Sequence, residues 1–289
     1  MKKLSLLWVV ILLLGLTGCS APGETPQIIA TTKPVYDFTA YLCQGTDLSV
    51  GLLIDQSVSC LHDYSLNVAQ VRNAEAAELI VLSGAGLEDF MSDLISHCDT
   101  VIDSSANVPL LECSDEHEHD HDHHHEEDAH IWLAPENATV MVQNICAGLC
   151  RAYPQHTNTF QKNLTALQAE LSALQAYGEE TLSSLSCREL VTFHDGFGYF
   201  AKAFDLTIAA AVEEESGSEA SAKELIHLIE LVQQHQIPAV FTEVNGSVSA
   251  AEIICAEIDV NSFCLDMGMT GDYFEMMKKN INTVKEALG

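Results

Sequence analysis

The sequence predicts an α/β protein with two lobes, each built on a parallel sheet flanked by helices and joined by one long rigid connecting helix. Short apolar runs alternate with amphipathic runs in the first half of the chain, and the same alternation returns in the second half. One unusually long helical pattern lies between the two halves. The chain of 289 residues is also longer than a typical single core, which favours two lobes.

The N-terminus has the pattern of an export signal. Lys2 and Lys3 precede an apolar run that ends in Leu16-Thr17-Gly18-Cys19, which resembles a bacterial lipobox. The apolar run is shorter than the roughly 20 residues that span a bilayer. The sequence therefore predicts a signal peptide at residues 1–18, a lipid on Cys19 and a flexible tether at residues 19–26. Such a chain is exported and is anchored to the outer face of the cell membrane, or is periplasmic.

Residues 27–153 are predicted to form the N-terminal lobe. Amphipathic stretches such as Val35–Cys43 and Gly86–His97 separate its short apolar segments, as expected for strands that alternate with helices. The predicted strands are Gln27–Thr32, Leu48–Ile54, Leu79–Ser83 and Thr100–Asp103.

Residues 154–186 are predicted to form the connecting helix, with its pattern running from about Thr157 to Leu185. No proline interrupts this stretch, and apolar residues recur at spacings of four and three. At about 1.5 Å per residue such a helix extends roughly 40 Å, enough to brace both lobes. A single rigid connector of this kind restricts hinge motion.

Residues 187–289 are predicted to form the C-terminal lobe by the same alternation. The predicted strands are Glu189–Phe193, Leu206–Val212, Ala239–Val244 and Val260–Leu265. The predicted helices lie near Phe197–Phe204, Ala220–His235, Ser247–Ile258 and Asp272–Leu288.

Charge and cysteine content narrow the possible partners. The formal net charge is −30, and Arg72 is the only basic residue between Lys33 and Arg151, which excludes nucleic acid and suits cations. Nine of the ten cysteines follow Cys19, and no pairing can be assigned to them from the sequence. Cys146 and Cys150 fall on the apolar stripe of a predicted helix, so we interpret them as core residues rather than as a metal pair.

Asp115–Asp128 is a tract of six histidines and eight carboxylates with nothing between them. It offers no apolar side chain to a core, which predicts a solvated loop. Imidazoles and carboxylates bind zinc and related divalent ions. We therefore interpret the tract as an auxiliary, weak metal loop, and the alternative is a disordered acidic linker. Its histidines are His117, His119, His121, His123, His124 and His125.

Three further histidines stand in distinctive settings. His62 follows the second predicted strand, His130 follows the acidic tract, and His194 comes directly after Glu189–Phe193. In doubly wound folds ligands gather beyond the carboxyl ends of the strands, so His62 and His194 are placed to face a cleft. The histidines on predicted helices are interpreted as exposed or core-edge residues. These are His97, His156, His227 and His235.

The lipobox, the two lobes, the long helix and the contexts HDY, HIWL and HDGFGYF resemble the zinc-type cluster A-I (ZnuA- and TroA-like) solute-binding lipoproteins of ABC importers. The likeness covers nearly the whole mature chain. It implies that His62, His130 and His194 bind the transported Zn²⁺ together with a carboxylate after the last strand, which is Asp266 here. It also implies an ABC-type metal permease as partner, a monomeric chain and no enzymatic activity.

Several alternatives stay open at this point. Leu61, Ala129 and Met267 stand where the family usually has proline. Without the fixed φ of proline these loops are less preset, which weakens the assignment of Asp266 most. Water or Glu243 is therefore an alternative fourth ligand. A manganese or iron receptor of the same family usually offers a carboxylate at the position of His194.

Two hypotheses come from other functional classes. A secreted zinc hydrolase needs an open coordination position and a general base, and the sequence has no H-E-x-x-H motif to supply them. A passive zinc-buffering surface protein needs only the histidine-rich tract and leaves the contexts of His62, His130 and His194 unexplained.

Overall fold

The computed structural model of the chain describes residues 25–55, 64–98, 100–111, 127–212, 221–269 and 271–289. The predicted signal peptide, Cys19 and residues 20–24 of the tether lie outside this part of the chain. The predicted fold class is confirmed, because two four-stranded parallel sheets are flanked by helices and a long helix separates them in the sequence. The lobe boundaries at residues 153 and 187 stay a prediction.

The first sheet has the strand order β2-β1-β3-β4. Its strands are β1 (Ile28–Ala30), β2 (Val50–Leu52), β3 (Leu79–Leu82) and β4 (Val101–Asp103). Neighbouring strands pair in parallel, with Ile29 of β1 opposite Gly51 on one side and Ile80 on the other. The residues of the central strands β1 and β3 are all buried, which explains why their sequences are unbroken apolar runs.

The second sheet has the equivalent order, β6-β5-β7-β8, and is also parallel. Its strands are β5 (Glu189–Thr192), β6 (Thr207–Ala211), β7 (Ala239–Glu243) and β8 (Asn261–Leu265). In each sheet the strand order reverses at the central pair, which is β1 and β3 in the first sheet and β5 and β7 in the second. Ligands of open α/β sheets bind at the carboxyl end of such a switch point.

The helices around the first sheet are α1 (Lys33–Leu42), α2 (Val68–Ala76), α3 (Ser92–Ile95) and α4 (Pro135–Ala152). Helix α3 is much shorter than the amphipathic stretch predicted at Gly86–His97, and a 3-10 turn at Asp89–Met91 precedes it. Gly84 and Gly86 have positive φ, and the Glu88 carboxylate accepts hydrogen bonds from the backbone N–H groups of Ser83 and Gly84. This tight turn takes up the residues that a longer helix would need.

The long helix α5 runs over Thr157–Leu182 and contains 26 residues, so it extends about 40 Å. Near its beginning the Asn163 amide donates hydrogen bonds to the backbone carbonyls of Leu42 and Gln44, at the end of α1. Near its end the Gln175 amide donates to the Ala203 carbonyl, beyond the second sheet's first strand. One helix therefore attaches to elements beside both sheets.

The helices around the second sheet are α6 (Gly198–Ala203), α7 (Ala222–His235), α8 (Ser249–Glu257) and α9 (Tyr273–Leu288). Ser221 and Glu224 form a capping box at the start of α7, and Asp272 accepts from two N–H groups at the start of α9. Among the described residues, no helix combines the length and the apolar character needed to cross a membrane.

Cys146 and Cys150 lie on α4 and face α5. Cys146 is fully buried and Cys150 is half-buried, and the Gln161 amide of α5 lies 3.6 Å from the Cys146 sulfur. Burial, with a smaller effect of the neighbouring Cys150, raises the pKa of the Cys146 thiol to about 12. A thiol that stays protonated is a poor metal ligand, which agrees with the predicted core role.

Candidate metal centre

His130 lies at the start of the 3-10 turn Ile131–Leu133 and is only 5 % exposed. The Asp128 carboxylate accepts hydrogen bonds from the His130 backbone N–H at 2.9 Å and from its ring Nδ1 at 2.8 Å. An ionised carboxylate can only accept, so Nδ1 is the donor of this hydrogen bond, and in the neutral ring the lone pair is then on Nε2. This arrangement of carboxylate and imidazole is typical of histidines that bind zinc through the opposite nitrogen.

His194 follows β5 and meets His130 edge to face. The two ring centroids are 5.3 Å apart, and the ring planes are at 89°. The His194 side chain is 18 % exposed, and its Nδ1 lies 3.9 Å from the Glu243 carboxylate at the end of β7. His194 thus neighbours both the His130 ring and the Glu243 carboxylate, at the carboxyl ends of β5 and β7, where the strand order of the second sheet reverses.

Gly196 marks the point where the candidate segments converge. A Cβ atom at this position would lie 2.9 Å from His130 Nδ1, 2.9 Å from a carbon of the His194 ring and 2.4 Å from the Met267 side chain. A side chain here would displace both imidazoles. The HDGFGYF context therefore supplies a histidine and also the space in which a second histidine approaches it.

Asp266 lies directly after β8 and is 7 % exposed. The Asn280 side chain of α9 holds its backbone on both sides, since it accepts from the Asp266 N–H and donates to the Asp266 carbonyl. The Asp266 carboxylate accepts from the Gly268 N–H at 2.8 Å. Its backbone position at the end of β8 is therefore fixed by a side chain of α9.

The His130 segment is joined to the Asp266 segment by Trp132. Its indole N–H donates to the Met267 carbonyl at 2.7 Å in the buried interior. Gly268 has φ +91°, and a Cβ atom there would lie 3.0 Å from the indole nitrogen. The buried Trp132 side chain therefore links the two segments directly.

The structure brings together only part of the predicted ligand set. His130 and His194 are in contact, whereas His62 and the auxiliary histidines 117–125 lie outside the described residues. Among the residues that the structure does describe, no group of three or more histidine, cysteine, aspartate or glutamate side chains is arranged to hold a metal ion.

Asp128 corrects the predicted end of the solvated loop. The sequence places it in the tract Asp115–Asp128, but its side chain is only 5 % exposed. Burial is possible because the carboxylate is satisfied by the N–H groups of His130. The sequence interpretation missed this partner, although the spacing Asp-Ala-His was visible as a signal for a carboxylate two residues before a ligand.

Comparisons with known proteins find similarity over most of the chain. The family described as ZnuA, zinc-uptake complex component A periplasmic, matches residues 28–287. The zinc-binding lipoprotein AdcA of Streptococcus pneumoniae is 31% identical over 99% of this chain, and the chain spans 61% of its length. The high-affinity zinc uptake system protein ZnuA of Bacillus subtilis is 26% identical over 94% of this chain and 90% of its own.

Solved structures of ZnuA have a similar fold. A crystal structure of ZnuA superposes with a TM-score of 0.81 at 26% identity, covering 92% of this chain and all of that one. A zinc-bound ZnuA lacking its residues 138–173 superposes with a TM-score of 0.79 at 26% identity, covering 92% of this chain and 99% of that one.

Proposed function

The chain belongs to the family of periplasmic A components of zinc-uptake complexes, and on that premise we propose that it captures Zn²⁺ outside the cytoplasm and passes it to an ABC-type permease. In this proposal the metal is cargo and the chain is a binding protein rather than an enzyme. The two relatives described above are named as a zinc-binding lipoprotein and a zinc uptake system protein.

The observation that carries the proposal is the contact between His130 and His194. Their rings meet at 5.3 Å between centroids, and the Asp128 carboxylate, 2.8 Å from Nδ1, orients the His130 ring. Neutral imidazole is a preferred ligand of zinc. Two such ligands at one sheet edge favour a site for a borderline divalent ion.

The full proposed ligand set is His62, His130, His194 and Asp266. Three imidazoles and one carboxylate would give the closed tetrahedral coordination that suits tightly held zinc. Glu243 is the alternative to Asp266, because its carboxylate already lies 3.9 Å from His194. Water is the other alternative.

The imidazole at position 194 supports zinc over manganese or iron. Harder ions favour oxygen ligands, and a receptor for them would gain from a carboxylate at this position. The histidine-rich tract is proposed to hold further zinc weakly and to raise its concentration beside the cleft. Cys19 is proposed to carry the lipid that keeps the receptor, as a monomer, near its permease.

Metal retention by the purified protein tests this proposal. The protein is offered equal amounts of Zn²⁺ and Mn²⁺, treated with a weak chelator, and examined by native mass spectrometry with metal analysis. We expect one zinc per chain to survive the chelator and further zinc equivalents to be lost. Retention of manganese with little zinc would contradict the choice of metal, and retention of no metal would contradict the receptor function.

A further inference from the structure

Two tyrosine hydroxyls lie on either side of His130 along the backbone. The Tyr199 hydroxyl donates to the carbonyl of Asp128, two residues before His130, at 2.9 Å. The Tyr273 hydroxyl donates to the carbonyl of Trp132, two residues after His130, at 2.8 Å. Both tyrosines belong to the half of the chain that forms the second sheet, whereas His130 precedes the long helix α5.

Tyr199 fixes the backbone just before His130. It lies on α6, five residues after His194, and is 2 % exposed. Its hydroxyl also accepts from the Leu111 N–H at 2.9 Å, and the Asp128 N–H donates to the Leu111 carbonyl at 2.9 Å. One hydroxyl therefore fixes the backbone at Asp128, whose carboxylate in turn orients the His130 ring.

Tyr273 fixes the backbone just after His130. It is the first residue of α9 and is 2 % exposed, and its ring packs edge to face on Phe38 of α1 with centroids 4.7 Å apart. Pro135 has no N–H to offer to the Trp132 carbonyl three residues before it, and the Tyr273 hydroxyl supplies a donor there. Burial raises the pKa of Tyr273, which keeps its hydroxyl protonated and able to donate.

We propose that Tyr199 and Tyr273 are positioning residues for His130, which hold this ligand in place against the part of the chain that carries His194 and Asp266. The inference rests on the proposed zinc site. In this proposal two residues that follow the long helix α5 position a ligand, His130, that precedes it.

The consequence is a preset pair of imidazoles. Because the backbone is held two residues before and two residues after His130, the separation between His130 and His194 is fixed before metal binds. Preset ligands lose less conformational freedom on binding, which increases affinity mainly by slowing release. Losing either hydroxyl would leave a buried backbone group without that partner and loosen the His130 segment.

Tyr199→Phe and Tyr273→Phe test the inference, because each removes one hydroxyl and keeps the ring. Zinc affinity is measured by competition with a chelator, and the visible absorption spectrum of bound Co²⁺ reports the coordination geometry. We expect each variant to bind zinc about tenfold more weakly, as for other groups that orient a metal ligand, and to shift the Co²⁺ bands. If one of the two variants fails to fold, the other still tests the positioning role.

Tyr177→Phe is the matched control, since the Tyr177 hydroxyl donates to Asn282 at the surface of α9. Its zinc affinity and Co²⁺ spectrum should equal those of the wild type. Tyrosine variants that lose thermal stability but keep wild-type affinity and the wild-type Co²⁺ spectrum would overturn the positioning role. If the wild-type protein itself holds no tight zinc, the proposed function fails first and the inference fails with it.

Discussion

Asp128 and Glu88 are two buried carboxylates that accept hydrogen bonds from different kinds of partner. Asp128 accepts from the backbone nitrogen and from Nδ1 of His130, so it orients the ring that we propose binds zinc. Glu88 lies 4 % exposed at the carboxyl end of the first sheet, where it accepts from the Thr31 hydroxyl and from the N–H groups of Ser83 and Gly84. Burial outweighs these hydrogen bonds and raises the pKa of Glu88 to about 7.

The raised pKa of Glu88 predicts a stability that falls as pH rises. The fold favours the neutral acid, so the contribution of Glu88 is fully present below its ordinary pKa of 4.5 and is lost as pH rises through about 7. The difference corresponds to a free energy on the order of 3 kcal/mol. Glu88→Gln stays neutral, and we expect its free energy of unfolding, measured in urea without metal, to fall less between pH 5 and 8 than that of the wild type.

Glu252→Gln is the control for this measurement, because Glu252 is exposed on α8. Its pH dependence should match the wild type. An unchanged pH dependence in Glu88→Gln would show that Glu88 ionises in the folded protein as readily as in the unfolded chain.

At the scale of elements, a glycine in the long helix α5 allows the helix to pack closely against Phe204. Gly178 is buried, and a Cβ atom there would lie 2.1 Å from the ring of Phe204, which follows α6. Alanine favours a helix over glycine by up to about 1 kcal/mol, but overpacking costs about 1–3 kcal/mol. The close approach should therefore decide the outcome.

We expect Gly178→Ala to lower the free energy of unfolding, measured by chemical denaturation. Ser172→Ala is the control on the same helix, because Ser172 is exposed, and it should change the free energy by less than about 0.5 kcal/mol. A Gly178→Ala protein that is more stable than the wild type would show that α5 can move away from Phe204 without loss.

The strands could be predicted from the sequence because they are short apolar runs with polar or turn-forming residues at both ends. Helix α2 is different: only Gln70 and Ala74 are buried in it, so the apolar periodicity that announces a helix is weak. Its capping box of Asn67 and Gln70 was the available signal.

The candidate site was predictable only in part. His130 and His194 follow features that are local in sequence, but Tyr199 contacts Asp128 across 71 residues and Tyr273 contacts Trp132 across 141. Local patterns carry no information about such contacts, which depend on how the two halves of the chain pack. The burial of Asp128 was missed although its hydrogen-bond partner, His130, is only two residues away.

At the scale of the whole molecule, the two halves of the chain are joined by more than the connecting helix. Trp132 donates to Met267, Tyr273 donates to Trp132, and the Tyr273 N–H donates to the Asp37 carboxylate on α1 at 3.1 Å. Asp37 also pairs with Lys33, and burial raises the pKa of Asp37. We expect these contacts, like the single long helix, to restrict motion between the two lobes.

The central claim is that zinc is held between imidazoles from both halves of the chain, and the zinc affinity of His130→Ala and His194→Ala tests it most directly. Each change removes one nitrogen ligand, and we expect competition with a chelator to show affinity lower by more than about 100-fold in folded protein. His235→Ala removes an exposed histidine that pairs with Glu189 and should bind zinc like the wild type. Wild-type affinity in both His130→Ala and His194→Ala would contradict the account.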